Sequence, residues 1–299
     1  MPSLKKIPPF SEAGFKAIIN FAEIDAIVSA TCQLAAQNPK SLYLFMQRYT
    51  HFNGYAGSLV ARLASSIGLS RDLFNANSLV RDEADRGLNI AAKVLAATID
   101  EHADQGAQNA PHRTLAQATL KAVGDYAELD VIERNSMSQI PDWLNNLLHE
   151  TIASYQGVPG DVKALIRALG FHAASETLAD HEYKIIDRVV RHECQRTGFG
   201  AYLREVNGKV ELEGQKYSAW YWIAIHGKHD ASGVEAQHFD LALEALNLAA
   251  RYRPEPDNQI KEWAMQGFTD FVEIQQRLFQ EIAQECQKNC FSYPCQWHM

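Results

Sequence analysis

Between Tyr221 and Phe239 the chain reads YWIAIHGKHDASGVEAQHF, in which His226, His229, Asp230, Glu235 and His238 fall within thirteen positions. Imidazole and carboxylate groups serve either as ligands of divalent transition metals or as general acids and bases. On a single helix His226 and Asp230 stand four residues apart and project from one face. His238 follows Asp230 by eight residues, which turns it by roughly 80° from that face at 3.6 residues per turn. One extra residue near Gly233, as in a π-bulge, brings it back. His229 and Glu235 are the competing donors on the neighbouring face.

Such a segment is half of a site, and its partners must come from elsewhere. Glu101 closes the run NIAAKVLAATIDEH, where the helix macrodipole disfavours a carboxylate. His112 follows a short polar loop, and Glu176 sits among small and apolar residues in LGFHAASETLADH. Three carboxylates with three imidazoles suit a pair of iron or manganese ions better than zinc. A ferritin-like di-metal bundle needs two Glu-x-x-His pairs. Only Glu235 and His238 form one here, which argues against that architecture.

The elements that must carry these residues are helical. Apolar spacing predicts one or two helices over 11–37, with Asn38-Pro39 as a stop, and further helical material over 40–67 and 77–102. A helix opens at Pro111, followed by others near 126–135, 140–155, 160–197, 219–251 and 258–288. The exception is AYLREVNGKVELEGQKYS, where Asn207-Gly208 between alternating residues predicts a small β-hairpin near 202–218. With no repeat and no low-complexity linker, the expectation is one all-α domain over 1–299, a bundle of about seven to nine helices.

The 299 residues are 46% hydrophobic and 21% charged, with a formal net charge of −8. That balance argues against nucleic acid or an anionic membrane as partner. No signal-peptide core and no run near the roughly 20 apolar residues of a membrane span is found, so a cytoplasmic location is expected. Of five cysteines, Cys32 and Cys194 are isolated, while Cys286, Cys290 and Cys295 with His298 sit in the tail. The tail lacks the paired CxxC of structural zinc sites and is read as incidental thiols.

These residues together carry a resemblance. ATIDEHADQGAQNAPHRTLAQATLKAVG is similar to the segment of haem-oxygenase-like di-iron oxidases in which a helix-ending Glu is followed, past a Gly-containing loop, by a His. LGFHAASE resembles the next helix of that family, and YWIAIHGKHDASGVEAQHFDLALEAL resembles its last ligand-bearing helix. The order of matches spans about 40–255, leaving N- and C-terminal extensions outside. The resemblance implies a haem-oxygenase-like helical bundle with metal ligands Glu101, His112, Glu176, His226, Asp230 and His238. Glu235 and His229 stand as substitutes for the last of these. Glu101 and Glu176 would be the carboxylates at the reacting centre, with Glu176 bridging. The implied cofactor is two Fe(II) ions, the second weakly held, with O2 as co-substrate. The implied reaction is N-oxygenation, desaturation or oxidative C–C or C–N cleavage of a small amino-acid-, amine- or fatty-acid-like substrate in natural-product biosynthesis. Expected partners are that substrate, an external electron donor and a second copy of the chain.

The remaining polar residues have plainer readings. His51, His149, His172, His181 and His192 are taken as packed or solvated histidines, and Glu182, Asp187 and Glu193 as a solvated helix face. Phe45, Tyr49, Phe52, Tyr55, Trp220, Tyr221 and Trp222 are core aromatics, some of which could line a pocket. Arg48, Arg81 and Arg86 are surface arginines or carboxylate clamps. Two other functions compete. One is a metal-free acid–base enzyme on the same scaffold, thiaminase-like or like the quinone-cofactor oxidases. The other is a non-enzymatic helical interaction protein.

Overall fold

The computed structural model describes residues 10–75, 84–102, 108–193, 198–227 and 234–292. Two short N-terminal helices, α1 (Glu12–Lys16) and α2 (Phe21–Ala36), are followed by α3 (Pro39–Asn53), α4 (Ala56–Leu69) and α5 (Arg71–Phe74). Asn38-Pro39 both ends α2 and starts α3. The Asn38 side chain accepts from the backbone of Lys40 and Ser41, and Pro39 fills a first-turn position where no N–H is needed. Then come α6 (Arg86–His102), α7 (His112–Tyr126), α8 (Val131–Met137), α9 (Asp142–Tyr155) and α10 (Val162–Ile186). A π-helical segment, Asp187–Glu193, prolongs α10, and α11 (Phe199–Glu205) leads to the hairpin β1 (Lys209–Leu212) and β2 (Gln215–Ser218). The chain ends in α12 (Tyr221–His226), α13 (Val234–Tyr252) and α14 (Asp257–Ser292).

The architecture is all-α with one two-stranded antiparallel hairpin, as expected. Among the described residues, nine helices have fourteen residues or more. The hairpin turn lies elsewhere than the sequence indicated. Glu213 and Gly214, both at positive φ, connect Leu212 to its partner Gln215, the backbone of a two-residue primed turn. Asn207 and Gly208 are also at positive φ but end α11, where the Gly208 N–H returns to the Leu203 carbonyl.

Helix α10 is the axis of the bundle. It packs along α14 and against α13, α2, α12, α9 and α4, while α6 packs on α4 and α13. So enclosed, α10 has no broad solvent face, and nearly every residue from Leu165 to Leu178 is buried. The crossing with α14 is backbone on backbone. A Cβ on Gly170 would lie 1.9 Å from the Ala264 carbonyl oxygen, and one on Gly267 would lie 1.8 Å from that of Arg167. The two glycines let the helices touch and fix the height of α10 residues against their neighbours. No described helix is long and apolar enough to cross a membrane.

Candidate metal centre

Three separate elements bring Glu101, His112 and His226 together. Glu101 lies in the last turn of α6, where Gly57 of α4 leaves room for it: a Cβ on Gly57 would meet the Glu101 Cβ at 2.9 Å. His112 is the first residue of α7, and its Nδ1 stands 3.2 Å from Glu101 Oε1. His226 is the last residue of α12, its ring 4.7 Å from that of His112. One ligand atom from each of the three lies within 4.8 Å of the others. A single divalent ion with bonds of about 2.0–2.2 Å can span such donors, and the mixed carboxylate–imidazole set suits iron, manganese or zinc.

The orientation of His226 is imposed from behind. Its Nδ1 lies 2.6 Å from the Trp222 carbonyl, which can only accept, so the hydrogen sits on Nδ1 and the lone pair on Nε2. The ring stacks on Tyr183 of α10 with centroids 4.5 Å apart. Burial, then the neighbouring His112, pulls its pKa down to about 4, so the imidazole is neutral at physiological pH. For Glu101, burial pushes the pKa up, but the hydrogen bond and charge of His112 outweigh it and leave the carboxyl below its ordinary range. An ionised Glu101 carboxylate and a neutral His226 imidazole are already in the protonation states that bind a metal.

Beside this triad lies a second carboxylate between histidines. Glu176, buried on α10, has Oε2 3.5 Å from Nδ1 of the buried His238 of α13 and Oε1 3.2 Å from Nδ1 of His172. The two groups sense each other: Glu176 acts on Glu101, and His238 acts on His226. Glu101 and Glu176 border one cavity of about 80 Å³ with Phe52, Tyr183, Trp222 and Phe271. A second pocket of about 280 Å³ reaches Glu101 and His112 from the Gly54–Ser58 side and shares Asn53, Glu101 and Trp222 with the first.

Two sequence expectations need correction. His226 and Asp230 were placed on one helix, yet α12 ends at His226, with Gly227 closing it. A Cβ on Gly227 would meet the Tyr183 carbonyl at 3.1 Å, so the close approach of α12 to α10 sets this position. His238 belongs to a separate helix, α13. Asp230, His229 and the Gly233 region lie outside the described residues, as does the Glu235 side chain. Glu182 and Asp187, read as solvated, are 4% and 5% exposed. Asp187 accepts two hydrogen bonds from Arg191 and one from Trp220 Nε1 at 2.7 Å, which ties the end of α10 to the start of α12.

Two site residues were missed. His172, taken as an ordinary packed histidine, is wholly buried with Nδ1 against both Glu176 and the Tyr155 hydroxyl, the latter at 2.6 Å. Its four-residue spacing from Glu176 was the available signal. Glu182 borders the cavity together with Glu101 and Glu176. Among the clamp candidates, Arg48 is buried and bound to Glu285, Arg86 lies over the Tyr252 ring, and Arg81 is outside the described residues. In the tail, Cys286 is buried on α14, whereas Cys295 and His298 are outside the described residues.

No protein-family model and no curated protein matches the chain. Solved structures share its fold. A CADD-like protein of unknown function from Nostoc punctiforme, determined twice, superposes with TM-scores of 0.54 and 0.52 at 14% identity, over 92% and 93% of this chain and 99% and 97% of that one. A TenA homologue from Pseudomonas syringae pv. tomato superposes with a TM-score of 0.53 at 11% identity, over 95% of this chain and 98% of that one. At such identity the likeness is one of fold, an all-helical bundle.

Proposed function

We propose that the chain is an O2-dependent non-haem iron enzyme acting on a small organic molecule. Glu101, His112 and His226 would hold one Fe(II), and Glu176 and His238, with Asp230 by resemblance, a second. One observation carries the reading: a partly buried carboxylate and two buried imidazoles from three sequence-distant elements converge within 4.8 Å beside a second buried carboxylate–imidazole pair. Burying such groups for no purpose is costly. Bound iron would supply the one-electron chemistry that lets O2 react with an organic substrate.

The chain's own residues would do the rest. The Trp222 carbonyl holds His226 as the tautomer with its lone pair on Nε2, and His112 keeps Glu101 ionised. Phe52, Trp222 and Phe271 exclude water from the cavity beside both carboxylates. N-oxygenation, desaturation and oxidative C–C or C–N cleavage are the reaction classes proposed, on amino-acid-, amine- or fatty-acid-like molecules.

A thiaminase-like reaction would need a nucleophilic thiol at the cavity. Among the described residues, Cys32 and Cys286 are buried and neither borders it. Burial also pushes the Cys32 pKa well above its ordinary value, which keeps it a thiol. Anaerobic Fe(II) titration with metal analysis tests the iron reading. Stoichiometric iron that is lost in Glu101→Ala and His226→Ala supports it. Failure to bind iron, or unchanged binding in both variants, overturns it.

A further inference from the structure

Glu182 is a buried carboxyl group that plays no part in the metal donor set. It lies on α10, six residues beyond Glu176, and borders the same cavity. The Tyr49 hydroxyl donates to Oε1 at 2.7 Å, and the Gln275 amide donates to Oε2. Both donors are neutral. Among the described residues no Lys or Arg borders the cavity to balance an ionised Glu182. Behind the carboxylate, Gln275 is 1% exposed and does not border the cavity, and its amide oxygen has no hydrogen-bond partner among the described residues. A buried acceptor left unpaired is costly and calls for a donor.

We infer that Glu182 is the substrate-recognition group of this cavity and takes the ammonium head of an organic amine. An ammonium brings what the site lacks: a positive charge and three N–H donors for acceptors that have none to spare. The walls fit the same ligand, since Phe52, Tyr183, Trp222 and Phe271 offer aromatic faces to a cation. The volume of about 80 Å³ suits a head group with a few carbons, and the adjoining pocket of about 280 Å³ takes the remainder. In the metal-free protein a fatty-acid or other carboxylate head would face Glu101, Glu176 and Glu182 with no Lys or Arg among the described residues to receive it. Without a ligand, burial raises the Glu182 pKa to about 7 against the two hydrogen bonds that lower it, as expected of a carboxyl whose counter-charge arrives from outside.

This inference rests on the oxygenase reading for the reaction, but its test does not. n-Butylamine, n-butanol and butyrate are titrated calorimetrically into metal-free and anaerobically Fe(II)-loaded protein, with iron content measured in parallel. Butylamine is expected to bind at least ten-fold tighter than butanol, with no binding of butyrate. In Glu182→Gln that preference should fall to near unity while butanol affinity stays unchanged, which a merely structural role for Glu182 would not produce. Should that variant not fold, Glu182→Asp is used, and its shorter reach should lower the preference several-fold. Absence of an amine preference in the wild type, or its persistence in the folded variant, overturns the inference. Failure of iron binding with the preference lost in Glu182→Gln would sink the iron reading and leave this one standing; the converse pattern does the reverse.

Discussion

Replacing Glu182 by Gln should stabilise the metal-free protein at neutral and alkaline pH. The carboxyl pKa is raised from 4.5 to about 7 in the fold, chiefly by burial. Between those values the native state holds a proton that the unfolded chain has released, so wild-type stability falls as pH rises through the window. At about 1.4 kcal/mol per pH unit, the accumulated penalty by pH 8 is roughly 3 kcal/mol. The amide carries no such penalty. It can also satisfy both neighbours, accepting from Gln275 and donating to the Tyr49 hydroxyl, which is itself a donor and an acceptor. His226 works in the opposite direction: its pKa is lowered from 6.5 to about 4, so its contribution is complete above 6.5 and lost as pH falls toward 4. The two trends offset in the wild type between about pH 4.5 and 6.5. His172 and His51, also held below their ordinary values, add to the His226 trend, so urea midpoints measured in chelator should climb with pH across that window less steeply for the wild type than for Glu182→Gln. The variant should be the more stable protein by pH 8 and about equal at pH 4.5. A stability difference that does not change with pH would refute the reasoning, because it would mean that no ionisation penalty resides at Glu182.

Gly170→Ala puts a methyl group 1.9 Å from the Ala264 carbonyl oxygen, a backbone atom that can yield only if α10 and α14 separate. Thermal unfolding should show a loss of about 3 kcal/mol or more. Asp187→Ala leaves the Trp220 indole N–H and the Arg191 guanidinium without their acceptor; a loss of roughly 2–4 kcal/mol is expected in urea. Because Trp220 begins the helix that ends in His226, iron affinity should fall with it in a chelator competition. Gly57→Ala crowds Glu101 Cβ at 2.9 Å and the His102 ring at 3.0 Å. Iron affinity should drop at least several-fold while the circular-dichroism spectrum is unchanged.

The helical class, the hairpin and the triad Glu101, His112 and His226 could be read from the sequence for a physical reason. Glu101 and His226 sit where a residue of their type is locally out of place, a carboxylate at a helix C-terminus and a histidine closing an aromatic run, and His112 follows a polar loop. What could not be read was the break after His226. HGKHDASG has no proline, and only the close pass of Gly227 by the Tyr183 carbonyl, a tertiary contact, marks the end of α12. Glu182 was misread on a different ground, and His172 was left as packed or solvated. Polar residues on a helix are taken to face water, an inference that needs the helix to have a wet face. Helix α10 has almost none, being enclosed by α14, α13, α2, α12, α9 and α4. The run ALIRALGFHAASETLA, which lacks a charged stripe, carried that information and indicated a central helix.

Glu101 and Glu182 border one cavity, yet their surroundings drive them to opposite states. Burial raises both. Glu101 gains an imidazole at 3.2 Å and stays an anion, whereas Glu182 gains only neutral donors and is raised to about 7. Carboxyls held apart in this way can take different roles, and the environment assigns them. On the proposed reading the ionised one would take a metal, and the half-protonated one a cation that comes and goes. An order of events follows. Ions held at Glu101 and at Glu176 would cancel their charge toward the cavity, leaving Glu182 as its uncompensated anion among the described residues. The preference for butylamine over butanol should then depend more steeply on Glu182 in the iron-loaded protein than in the metal-free one. An equal dependence in both forms would mean that the two carboxylates near the triad do not share their field with the cavity.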